Sequence, residues 1–215
     1  MKRVIATEKT YAGELVASQA QVGTEANHFE IETDGTSKNV GDGTVFNDIN
    51  TGLNPRNTGT GRPTLASFVG NLREFQFDVN DFADLTPIEL LHDWKEGSEI
   101  EFHLHWATGG ANDATVRAVK WEIEYSIANM GTGAFATTTV ISAETEIPAS
   151  EAARTHHYTS VGTYTMSGGH IGTQIAFRVK RIASSGTAPA ADPFLLSIGI
   201  HYEIDTIGSR TKTAK

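Results

Sequence analysis

Between Lys120 and Ile127 the chain reads K-W-E-I-E-Y-S-I, with Trp121, Ile123, Tyr125 and Ile127 at one parity and Lys120, Glu122, Glu124 and Ser126 at the other. Strand side chains point alternately to opposite faces, so this segment predicts a β-strand with one face in a core and one in water. The same grammar recurs along the chain. Phe75, Phe77 and Val79 alternate with Glu74, Gln76 and Asp78, and Ile100, Phe102, Leu104 and Trp106 alternate with Glu99, Glu101, His103 and His105. Ile175, Phe177 and Val179 alternate with Ala176, Arg178 and Lys180, while Phe194, Leu196, Ile198, Ile200, Tyr202 and Ile204 share one parity of a long final strand. A short apolar piece at Ile88–Leu91 after Pro87, a β-branched stretch at Thr137–Ile147 and a weaker candidate at His156–Met166 complete the series.

These add up to about eight strands separated by turn clusters such as Gly109-Gly110-Ala111-Asn112-Asp113, Gly131-Thr132-Gly133 and Ser184-Ser185-Gly186. Short, regularly spaced strands with Gly-rich turns predict an all-β fold, an antiparallel β-sandwich. Eight strands favour the jelly-roll type over an immunoglobulin-like one. Only Ala149–Arg154, after Pro148, reads as a short helix, and no repeat of fixed period is present.

Residues 1–70 follow a different rule. They are rich in Gly, Thr, Asn and Asp, with Gly41-Asp42-Gly43 and the run from Asn57 to Pro63, so turn chemistry dominates. Strand-like pieces occur only at Gly13–Ser18 and His28–Thr33, and the apolar residues Val45, Phe46 and Ile49 stand almost alone. The expected organisation is an extended N-terminal arm over 1–70, a sandwich domain over 71–210 and a short tail over 211–215. An arm with so little periodic apolar content cannot build its own core. It is expected to become ordered against a partner, with Val45, Phe46 and Ile49 as the anchoring residues.

Composition narrows the chemistry. The chain has no cysteine, which excludes disulfides, thiolate metal sites and a cysteine nucleophile. A formal charge of −9 argues against a nucleic-acid surface, because phosphate contacts need clustered Lys and Arg. No apolar run approaches the roughly 18 residues of a membrane helix. The opening Met1-Lys2-Arg3-Val4-Ile5-Ala6-Thr7-Glu8 meets an acid before any apolar core of a leader, so neither membrane insertion nor export by a standard leader is expected.

The sharpest local feature is His103-Leu104-His105, two histidines on one face of a strand, as metal-binding cupins present theirs. His201 lies on the polar parity of the last strand, Glu101 shares the face of the two histidines, and His156-His157 is a further pair. A mononuclear site needs three or four converging N/O ligands. However, His103 and His105 oppose Phe102, Leu104 and Trp106, the better core candidates. Parity therefore sets His103, His105 and His201 on an outer sheet face or at a subunit contact, hydrogen-bonded and without metal, and no cofactor is expected. Asp78, Asp81 and Asp84 lack the Gly and distal Glu of an EF-hand loop and read as a solvated loop. Neither a G-x-S-x-G elbow nor a phosphate-cradling G-x-x-x-x-G-K-S/T run is present, and nothing in the chain calls for an enzyme. Trp94, in His92-Asp93-Trp94-Lys95-Glu96-Gly97, reads as the one exposed tryptophan and hence as a ligand platform.

Leu90-Leu91-His92-Asp93-Trp94-Lys95-Glu96-Gly97-Ser98-Glu99-Ile100, followed by Phe102-His103-Leu104-His105-Trp106, resembles a pattern found in structural proteins of tailed bacteriophages. In that family an H-x-W/Y-K-E-G-S-x-I segment precedes H-x-H-W, a W-x-x-E-Y strand and a closing H-F/Y-E-x-D-T-x-G-S-R. Trp121 to Tyr125 and His201 to Arg210 match the latter two. The resemblance spans about 70–210 and leaves out the arm. It implies a component of the virion, assembled in the host cytoplasm, and brings over no catalytic residues. The resulting expectation is a non-enzymatic protein on the particle exterior, either a head decoration (cement) protein or a neck- or tail-attached component. Its partners would be capsid, neck or tail proteins and copies of itself, with a homotrimer favoured because ring closure hides sheet edges. Two readings compete: a tail appendage module binding host-surface carbohydrate through Trp94, and a cupin-like metal-dependent enzyme using His103, His105 and His201.

Overall fold

A computed structural model of the chain describes residues 10–11, 14–15, 20–33, 35–131 and 133–215. Among these, regular structure is almost wholly strand. In chain order the strands are β1 (Thr10–Tyr11), β2 (Glu14–Leu15), β3 (Ala20–Gly23), β4 (His28–Ile31), β5 (Ser37–Val40), β6 (Val45–Gly52), β7 (Thr64–Ser67) and β8 (Arg73–Gln76). They continue as β9 (Phe82–Asp84), β10 (Ile88–Glu89), β11 (Glu99–Ala107), β12 (Arg117–Ala128), β13 (Thr139–Ile147), β14 (His156–Thr165), β15 (Gln174–Ile182) and β16 (Phe194–Ile204). One 3-10 turn, Gly41–Gly43, precedes β6. The segment Ala149–Arg154 is turn and coil, not helix; positive φ values at Ser150 and Arg154 are incompatible with helical continuation.

Two antiparallel sheets face one another. The first runs β14-β11-β16-β8-β7, with β6 beside the C-terminal part of β16; the second runs β10-β15-β12-β13, with β9 beside β15. Phe102, Leu104, Trp106, Ile198, Ile200 and Tyr202 from the first meet Trp121, Ile123, Tyr125, Ile175 and Val179 from the second in one core. Aromatic contacts cross the gap: the rings of Phe102 and Tyr125 are 4.7 Å apart, and Trp121 lies 6.3 Å from Trp106. The antiparallel β-sandwich read from alternation is therefore the fold. Alternation holds least well in β16. Its pairing with β11 slips between His105 and Trp106, so Leu195 and not Leu196 lies against Trp106. This bulge reverses the parity, burying Leu195 completely and leaving Leu196 half-buried.

The N-terminal region is more integrated than its composition suggests. β3, β4 and β5 form a three-stranded antiparallel sheet, and β6 is a full member of the sandwich, pairing with β16 from Val45↔Ile204 to Ser197↔Gly52. The sheet thus begins well before residue 71. Ile49 packs against the chain's own core, whereas Val45 and Phe46 remain exposed. Of the piece at Gly13–Ser18, Glu14–Leu15 pairs with Thr10–Tyr11, and the remainder lies outside the described residues. The β3–β5 sheet is tied to the end of the chain. Asn39 N–H donates to Asp205 O at 2.6 Å, and Arg210 Nε donates to Thr36 Oγ1 at 2.7 Å.

Candidate functional site

The outer face of the first sheet carries the densest chemistry of the described residues. Four strands contribute in register. His201 on β16 stands opposite Glu101 on β11 and Asp48 on β6, and His103 on β11 stands opposite Gly199 on β16 and Ser160 on β14. Gly199 is what lets this face close over itself. A Cβ there would lie 2.3 Å from His103 Nε2 and 2.7 Å from Asn50 Oδ1, so the imidazole occupies the space a side chain would need. Tyr158 from β14 and His201 flank the same ring, with ring centroids 5.3 and 4.1 Å from that of His103.

His103 consequently has 0% exposure, although it points away from the sandwich core. Among the described residues neither of its ring nitrogens has a hydrogen-bond partner, and Asp48 Oδ1 has none either. The closest approach is His103 Nε2 to Asp48 Oδ1 at 3.6 Å, too long for a good hydrogen bond. His201 Nε2 lies 4.0 Å from Asp48 Oδ2, while its Nδ1 contacts Glu101 Oε2 at 3.2 Å. Tyr158 Oη donates to Glu101 Oε1 at 3.1 Å.

The electrostatics follow from this crowding. Burial, then the neighbouring His201, holds His103 neutral well below the ordinary histidine range. Burial and His156 lower His105 in the same way. Burial pushes the Glu101 carboxyl up, but hydrogen bonds from Ser160, His201 and Tyr158 outweigh it and hold Glu101 below the usual carboxylate range. Burial and the bond to Glu101 push the Tyr158 phenol up to about 12. Two imidazoles and a carboxylate converge here, and donor atoms of Asp48, His103 and His201 all lie within 4.8 Å of one another.

The residues read from sequence divide between two outcomes. His103 and His201 come together, but His105 turns to His156, with Nδ1 to Nε2 at 2.9 Å. The two members of the His156-His157 pair go to opposite faces. His157 stacks on Trp106 at 4.4 Å and contacts Glu151 Oε2 at 2.7 Å. Asp48, the third member of the cluster, went unseen because β6 has only a weak apolar pattern. The Gly199 within Ile198-Gly199-Ile200-His201 was the available signal, since a glycine inside a strand marks a close approach. Asp78 and Asp81 close a turn, with Asp78 N–H donating to Asp81 Oδ2 at 2.8 Å, and Asp84 pairs with Arg178 at 2.6 Å.

Trp94 is not exposed. It is fully buried, forms an isolated bridge with Ile204, and packs so closely on Gly169 that a Cβ there would lie 2.9 Å from Trp94 Cη2. The neighbouring turn explains the inversion. Ser98 N–H donates to Lys95 O at 3.0 Å with Gly97 at φ +80°, a turn that folds the polar residues outward and the indole inward. Trp94 therefore offers no stacking surface to a sugar.

No protein-family model matches the chain, and no curated protein matches it. Among solved structures, it is similar to the CBM22-1–GH10 modules of Clostridium thermocellum endo-1,4-β-D-xylanase 10B complexed with xylohexaose, at 11% identity and a TM-score of 0.29. That match covers 74% of this chain and 26% of the other. A likeness of that strength carries no functional argument.

Proposed function

We propose that this protein is a non-enzymatic structural component of a tailed-bacteriophage virion, exposed on the particle exterior and joined to neighbouring virion proteins through its N-terminal region. The observation that carries the reading is that two distant segments of the phage-like pattern meet in three dimensions. Lys95 Nζ pairs with Glu203 Oε2 at 2.7 Å, and Lys95 N–H donates to Glu203 O at 2.8 Å. Asp205 N–H donates to Asp93 O at 3.3 Å, Tyr202 Oη donates to Asp93 Oδ1 at 3.1 Å, and His92 bonds Ser209. The H-x-W-K-E-G-S and H-Y-E-x-D-T-x-G-S-R segments thus act as two halves of one clamp. Residue identities shared at such a clamp reflect a common architecture better than isolated turn residues would.

The strand order supports the jelly-roll reading. β6-β16-β11-β14 on one sheet faces β9/β10-β15-β12-β13 on the other, and the chain changes sheets at every connection from β10 onward except the β12–β13 hairpin. Exposed Val45 and Phe46 on the edge strand β6 are the surface through which the N-terminal region meets a neighbour, and a trimer would cover that edge. The test is proteomic and structural: the protein should be found at stoichiometric level in purified particles of the virus encoding it, and a subunit-resolution map should show it outside the shell. Absence from purified particles would overturn the proposal.

A further inference from the structure

We infer that Asp48, His103 and His201 form a binding site for a divalent first-row transition ion, with zinc as the reference ion, on the outer face of the first sheet. The inference stands apart from the virion reading and does not depend on it. Three observations carry it. His103 is completely buried, yet neither ring nitrogen has a hydrogen-bond partner among the described residues. Burying an imidazole with neither ring nitrogen hydrogen-bonded, beside a carboxylate oxygen at 3.6 Å, is costly, and a cation held between the two would give both a partner.

The donor set is also of the right kind and nearly of the right size. Two imidazoles and one carboxylate suit Zn²⁺ and its neighbours in the series. Bonds of about 2.0–2.2 Å in a tetrahedral site put ligand atoms about 3.4 Å apart. Asp48 Oδ1 lies 3.6 Å from His103 Nε2 and Asp48 Oδ2 lies 4.0 Å from His201 Nε2, and one donor atom from each of the three residues falls within 4.8 Å of the others, so the set need only draw together on binding. Finally, the second layer is in place. His201 presents Nδ1 to Glu101, which fixes its Nε2 as the free donor, and Tyr158 orients Glu101 in turn. Metal-ligating histidines are held this way. With the His201 and Asp48 side chains 34% and 31% exposed above the buried His103, the site opens to solvent on one side, leaving a coordination position for water.

The test uses the full-length protein, stripped with chelator and then titrated with Zn²⁺ and with Co²⁺. Isothermal calorimetry gives stoichiometry, and the visible d–d spectrum of Co²⁺ reports its coordination. Wild type should bind one ion per chain with a nitrogen/oxygen-ligated cobalt spectrum. His201→Ala and Asp48→Ala should abolish binding while keeping the chelator-treated melting temperature of wild type. Glu101→Gln should weaken binding by about 10–100-fold. His156→Ala, which removes the partner of His105 but no ligand, should bind as wild type does. Failure of the wild type to bind at one per chain would overturn the inference, as would binding that survives both His201→Ala and Asp48→Ala. Binding lost in His156→Ala but retained in Asp48→Ala would overturn the assigned donor set.

Discussion

Adding one methyl group at Gly199 tests the closed outer face directly. In an ordinary strand, Gly→Ala at a compatible backbone is stabilising by about 0.4–1 kcal/mol, because it restricts the unfolded chain. Gly199 lies mid-strand in β16 and outside the positive-φ glycines, so the backbone accepts alanine. The methyl would nevertheless sit 2.3 Å from His103 Nε2 and 2.5 Å from Cε1, well inside van der Waals contact. His103 cannot swing away, since Tyr158 and His201 flank it and it has no exposed surface. Overpacking of this kind costs about 1–3 kcal/mol, so the expected sign reverses and Gly199→Ala is destabilising. The assay is urea denaturation in the presence of chelator, which isolates packing from any ion. His103→Ala removes the obstacle, and the methyl added by Gly199→Ala then fills part of the space it leaves. The double variant should therefore be more stable than the two single losses predict, with a coupling of about 1 kcal/mol or more. A Gly199→Ala protein as stable as wild type, or additive losses, would show that the ring does not lie over Gly199.

The remaining expectations are briefer. Trp121→Ala, emptying the centre of the core beside Phe77 and Trp106, should cost about 3–5 kcal/mol, whereas Glu122→Ala should be nearly neutral, both read from denaturation midpoints. Asp192→Ala should cost about 1–3 kcal/mol, because Arg181 is buried and loses its 2.5 Å ion pair, keeping the carbonyl of Phe77 and the weaker attraction of the Asp81 carboxylate; a change under about 0.5 kcal/mol would refute this. Burial, then Tyr164, raises the Tyr125 phenol above the usual tyrosine range. The stability this group contributes is whole below about pH 10 and is lost as pH rises through its folded-state pKa, so Tyr125→Phe should unfold less steeply with alkali than wild type. Val45→Ser together with Phe46→Ser keeps the β6–β16 ladder and should give a folded sandwich that fails to join particles lacking the protein; equal occupancy by this variant and wild type would place the anchor elsewhere.

What the sequence disclosed tracks where burial is one-sided. Strands β11, β12 and β15 lie mid-sheet with one face on the core, so period-2 alternation marks them almost to the residue. β6 and the β3–β5 sheet are held mainly by backbone ladders, with few buried side chains, and leave little hydrophobic trace. Short β9 is pinned by pairing with β15. Bulges hide from period-2 alternation in another way. The slip beside Trp106 exchanges Leu195 and Leu196 between faces, and no composition signal separates two adjacent leucines. Trp94 misled for the opposite reason. Its polar neighbours belong to a turn, and burial of the indole depends on Ile204 and Gly169, both distant in sequence.

Parity assigned the histidines to the outer face of their sheet, and the structure agrees. The further step, from outer face to bare surface, does not follow. On a mid-sheet strand, an outward side chain has neighbours on both flanks, and their size decides whether it meets water. Here one flank offers Tyr158, and the other offers a glycine with His201 and Asp48 beyond it, so His103 is drawn flat across Gly199 and sealed in. Burial without a partner is costly for an imidazole, at about 1–3 kcal/mol for each unsatisfied polar group. A sheet that must only keep its outer face soluble has no need of that cost, since any exposed polar residue at position 103 would serve. Retaining a buried, neutral, unpartnered histidine between a carboxylate and a second, carboxylate-oriented histidine makes physical sense when a cation supplies the missing partner.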